Sequence, residues 1–90
     1  MYDYTDFPPV EYFVRSLRNN PQSTFLYSAL WKQKPLSNRL SIRRKDIKKK
    51  FDMSYTIFRN QLLSLDKLEL LSFEERIDYF LIDFVDNEKN

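Results

Sequence analysis

The ninety-residue chain contains no cysteine, no histidine and no glycine, and each absence closes a set of functions. Without cysteine there are no disulfides, no thiol nucleophile and no thiolate ligands for zinc. Without histidine the side chain that most often moves protons near neutral pH is missing, so most hydrolytic and redox chemistry is not expected, and neither is an enzyme. Without glycine neither a P-loop nor a dinucleotide-binding fingerprint can be built. Long apolar runs are missing too, and the opening "MYDYTDFPPVEYF" is acidic, with no basic leader. A soluble cytoplasmic protein is therefore expected, with no membrane partner, no metal and no cofactor.

What is present is aromatic and unevenly charged. Six Tyr and eight Phe within a 42% hydrophobic composition suffice for one thin core, so residues 1–90 are read as a single domain. The net charge of +2 hides three regions. Residues 1–31 carry a net −1; between 32 and 60 ten Lys/Arg face two Asp/Glu, a net +8; residues 61–90 carry a net −5. Such a centre concentrates polyanions on one face, although a lysine-rich solvated helix has the same composition.

Helical spacing appears early. Pro8 and Pro9 open a helix in which Val10, Phe13, Val14 and Leu17 recur at i, i+3, i+4 and i+7, and this stripe is expected to pack inward. Asn20 as N-cap, Pro21 at the first position and Pro35 as a stop frame a second helix. Its buried face is expected to be Phe25, Leu26, Ala29 and Leu30, widened by Tyr27 and Trp31. Leu40 and Ile42 then alternate like a very short strand.

From Arg43 a helix to about Phe51 points Ile47 and Phe51 inward. "DMS" breaks it, and Ser54 caps a further helix with Phe58, Leu62 and Leu65 on one face. Two helices joined by so short a turn make a helix-turn-helix candidate. Beyond Leu68, "LLSFEERIDYFLIDFV" reads as two strands about a turn at Glu74 to Arg76. Both faces of the second strand are apolar: Ile77, Tyr79 and Leu81 on one, Phe80, Ile82 and Phe84 on the other. Two covers are needed, so Phe80, Ile82 and Phe84 are candidates for a dimer or partner surface, and a homodimer is expected.

The stretch "RRKDIKKKFDMSYTIFRNQLLSLDKLELLSF" resembles the winged helix-turn-helix family of small prokaryotic, plasmid, phage and viral regulators. Ile47 stands at the buried position of the first motif helix, Phe51 at its last apolar position and Met53 at the apolar turn residue. Ser54 stands at the recognition-helix N-cap and Phe58 at its central apolar position. Leu62, Leu65, Leu68, Leu70 and Leu71 fill the apolar positions running into the wing. "STFLYSALW" followed by "LSIRRKDI" is also similar to the DNA-binding domains of plasmid replication initiators. The chain departs from the motif at Lys48, where the family has a small residue, and at Asp52 and Glu69, where it has glycine.

The resemblance implies an α+β, mostly α, winged helix-turn-helix. Residues 1–20 would be an acidic arm and extra helix, 21–66 a three-helix core, 67–85 a hairpin wing and 86–90 a tail. It also implies binding of double-stranded DNA by a transcriptional regulator that reads the major groove with residues 54–66. A replication or plasmid-maintenance factor and a protein-interaction module that leaves DNA alone are the alternatives. Tyr55, Thr56, Arg59 and Asn60 would contact bases, since Arg suits guanine and Asn suits adenine. Arg43, Arg44, Lys45, Lys48, Lys49, Ser54 and Arg76 would contact phosphate. A carboxylate-metal nuclease built from Glu74, Glu75 and Asp78 is rejected, because acidic residues at a hairpin tip are usually just solvated.

Overall fold

Prolines and an asparagine set the first two helices. The structure, a computed structural model, describes residues 8–85, so residues 1–7 of the acidic arm and the tail 86–90 lie outside the described residues. Helix α1, Val10–Asn19, starts when the Tyr12 and Phe13 amides donate to the Pro9 carbonyl at 3.0 Å. Asn20 then serves two helices. Its amide donates to Ser16 O at 2.7 Å, and its side-chain Oδ1 accepts from the Ser23 amide at 3.3 Å to cap α2, Pro21–Gln33.

With one residue between them, the two helices must fold back on each other, and their buried faces differ from those expected. In α1 Tyr12 and Ser16 are buried, while Val10, Val14 and Leu17 face solvent and Phe13 is half-buried. The Ser16 hydroxyl, 3.0 Å from that of Thr24, draws this face onto α2, and Arg15 Nη1 ties the helix to Leu68 O at 3.1 Å. In α2 Phe25 is 85% exposed and Ala29 half-buried, because the larger Tyr27 and Trp31 turn inward with Leu26 and Leu30. Trp31 meets Tyr27 and Phe84 edge-on, with centroids 6.1 and 5.2 Å away.

Strand β1, Arg39–Arg43, extends the alternation expected at Leu40 and Ile42, and Ile42 is buried. The helix expected from Arg43 begins later. The Arg44 amide is held by Asp78 O at 2.8 Å, which keeps Arg43 in the sheet, and a 3-10 turn over Arg44–Asp46 precedes α3, Ile47–Phe51. α3 stops at Asp52, whose φ of 55° and ψ of 43° are left-handed, a conformation that aspartate adopts more readily than most residues. Ser54 Oγ then accepts from the Ile57 amide at 3.2 Å and caps α4, Tyr55–Lys67.

α4 buries Phe58, Leu62 and Leu65 as its spacing requires. Phe58 is fully buried, and its truncation to alanine should cost about 3–5 kcal/mol. The helix ends with Glu69 at φ 62°, its amide donating to Asp66 O at 2.9 Å, while the Leu70 amide donates to Leu65 O at 3.1 Å. These two bonds form a Schellman motif, with the buried Leu65 and Leu70 as its hydrophobic contact.

The hairpin follows as β2, Leu71–Glu75, and β3, Tyr79–Phe84, in an antiparallel sheet of order β1-β3-β2. Its turn spans residues 76–78, two residues beyond the expected position, and the Arg76 amide bonds to Tyr79 O at 2.8 Å. Phe80, Ile82 and Phe84 are buried in the chain's own core, so their assignment to a dimer or partner surface is incorrect. Trp31 of α2 and Tyr55 and Phe58 of α4 pack their rings on that face of β3. On the other face Tyr79, Leu81 and Asp83 are half-buried. Among the described residues the architecture is α+β and mostly helical, four α-helices with a three-stranded antiparallel sheet that joins β1 to the C-terminal hairpin, an arrangement compatible with a winged helix. Among the described residues no helix is long and apolar enough to cross a membrane.

Candidate nucleic-acid interface

Capping by Ser54 and burial of Phe58, Leu62 and Leu65 fix which α4 side chains point outward. Thr56 and Asn60 are exposed, with Ile57 and Leu63 beside them. Tyr55 is not outward as expected. One face of its half-buried ring stacks on Phe80 at 5.6 Å, and the Arg44 guanidinium carbon lies over the ring, 4.0 Å from its centroid. Arg59 is half-buried, and its Nε donates to Glu75 Oε1 at 2.8 Å. The strand β2 thus brings a carboxylate to the residue expected to read guanine.

The cations expected on phosphate divide into two groups. Arg43, Arg44 and Lys45 are exposed and, with Asp78 and Tyr79, line an open cavity of about 570 Å³. With Lys49 and Lys50 they form no ion pair among the described residues. Lys48 lies in a loose pair, 3.8 Å from Asp52, both exposed. Arg76 is committed to Glu74 at 2.8 Å within the wing. Ser54 Oγ already accepts from the Ile57 amide, although its hydroxyl proton stays available to a phosphate oxygen.

A further pair links the sheet edge. Arg39 Nε donates to Asp83 Oδ1 at 2.8 Å across β1 and β3. The hydrogen bond from Arg39 holds the Asp83 carboxyl below the usual carboxylate range, against a smaller opposing effect of burial, and the same bond raises the Arg39 guanidinium.

Two participants are missing from the sequence-based set. Lys50 belongs to the same run as Lys49 and is equally exposed, which the run itself signals. Glu75 reaches Arg59 only through the packing of α4 beside β2, which no local pattern encodes. The carboxylates of the rejected nuclease reading do not converge: Glu74 pairs with Arg76 and Glu75 with Arg59. Among the described residues no group of three potential metal ligands is present. Compared with protein-family models, curated proteins and solved structures, the chain matches none.

Proposed function

We propose that this protein binds double-stranded DNA without catalysis, as a regulator that places α4 in the major groove. The observation that supports this reading is the run of exposed, unpaired cations at Arg43, Arg44, Lys45, Lys49 and Lys50, on the segment leading into α4. In this reading these cations contact the phosphates that flank the groove and set register, while Thr56, Asn60 and Arg59 meet base edges. Arg59 must exchange Glu75 for a base, so its contact is formed only where guanine outcompetes the carboxylate.

Duplex binding measured by fluorescence anisotropy across a salt series tests the proposal. Each neutralised phosphate contributes roughly −0.9 to the slope of log affinity against log salt, so five contacts give about −4 to −5. No measurable duplex binding at low salt overturns it. A protein-interaction module is the second reading, supported by the carboxylates that neutralise Arg59 and Arg76 in the wing. Failure to bind duplex at low salt, with the fold intact, is the outcome it requires.

A further inference from the structure

Helix α1 carries an apolar stripe that the other described residues leave uncovered. Val10, Val14 and Leu17 are 72%, 39% and 48% exposed, although their spacing puts them on one face. The opposite face is the one docked on α2, through Tyr12 and the Ser16–Thr24 hydroxyl pair. Stripe and docking face therefore cannot exchange without breaking that contact.

Two charges flank the stripe. At about 100° per residue Glu11 and Arg18 project from the same side of it, seven residues or roughly 10 Å apart. Both are exposed and form no ion pair among the described residues. When two copies of one helix pack antiparallel about a twofold axis, identical flanks face each other, and residue i meets j as j meets i. Val14 then sits at the axis, and Val10 of each copy lies against the partner's Leu17. Glu11 falls opposite the partner's Arg18, and the twofold repeats the pair. One helix thus bears an apolar seam and a self-complementary charge pattern.

We propose that α1 is the interface of a homodimer whose occupant is a second copy of α1, antiparallel. The seam lies away from the candidate DNA surface. Arg15 ties α1 to Leu68 O at the C-terminal end of α4, about 20 Å along the helix from the cap at Ser54. Dimer formation and exposure of the Arg43–Lys50 cations are compatible, and the proposal does not rest on DNA binding.

Three apolar side chains per copy make a small interface, so a dissociation constant on the order of 10–100 µM is expected. Sedimentation equilibrium of the full chain, without DNA, reads it. Glu11→Arg or Arg18→Glu alone should weaken association about tenfold or more by setting like charges opposite each other, and the double exchange should restore it. Val14→Glu should abolish association with an unchanged circular dichroism spectrum. A wild-type chain that stays monomeric to about 1 mM overturns the proposal and leaves the stripe to another occupant. A double exchange no tighter than the single ones also overturns it, because generic charge effects would then explain both.

Discussion

The segment Arg43–Lys50 and the β2–β3 hairpin meet where the Arg44 amide donates to Asp78 O, yet they handle positive charge in opposite ways. In the first, five cations stand in solvent with no carboxylate paired to them among the described residues. In the second, Arg76 is held by Glu74, and the wing's Glu75 reaches across to hold Arg59 on α4. Net charge would treat all of these arginines and lysines alike. Pairing separates the cations offered to a polyanion from those already satisfied.

Removing the offered cations should have the largest effect. The triple variant Arg43→Ala, Lys45→Ala, Lys49→Ala should lose about two to three orders of magnitude in duplex affinity at low salt, its salt slope becoming shallower by roughly 2.7. An unchanged slope would mean that this segment does not face phosphate. Next come the two ends of the wing contact. Arg59→Ala should relax preference at a single base position by about 1–3 kcal/mol in a random-sequence selection. Glu75→Gln should instead tighten binding by about threefold to tenfold, since it releases Arg59 and removes a charge that repels phosphate. If both variants weaken binding, the pair acts as a unit that positions the wing.

A smaller change tests the turn joining the free segment to α4. Asp52→Gly should stabilise the chain to urea by about 1 kcal/mol, because glycine occupies the left-handed region without a Cβ penalty. Asp52→Ala should destabilise it. The smallest effect belongs to Arg39–Asp83. The Asp83 carboxyl is lowered in the folded state, so its contribution is present above the ordinary carboxylate value and is lost as pH falls through the depressed one. Asp83→Asn should flatten the acid limb of the melting temperature below about pH 4 and leave neutral stability nearly unchanged, as an exposed pair requires.

Local chemistry made much of the fold legible. Asn20 and Ser54 are caps that any helix needs, and Phe58, Leu62 and Leu65 have a spacing with only one buried face. Asp52 and Glu69, standing where the resemblance implies glycine, indeed have positive φ. What periodicity could not supply was the choice between faces. In α1 it marked Val10, Val14 and Leu17 correctly as one stripe, but a hydroxyl contact eight residues away decided that the other side packs inward. In β3 both faces looked buried, and only the position of the helices shows that Phe80, Ile82 and Phe84 receive the cover. The candidate site was legible as a charge run but not as a pairing pattern, because Arg59 and Glu75 lie 16 residues apart and meet only where α4 packs beside β2.

Arg44 differs from Arg43, Lys45, Lys49 and Lys50 in being held before any ligand arrives. Its amide is bonded to Asp78 O, its Nη1 lies 3.5 Å from Ile77 O, and its guanidinium rests on a tyrosine ring that itself rests on Phe80. A free surface arginine surrenders up to ~2 kcal/mol of rotamer entropy when it is fixed on a phosphate. For Arg44 most of that freedom is already gone in the unbound protein, so its contact with an anion begins preorganised. Lysine at this position would keep the charge and lose the stacked plane, turning a fixed point of attachment into a roaming one.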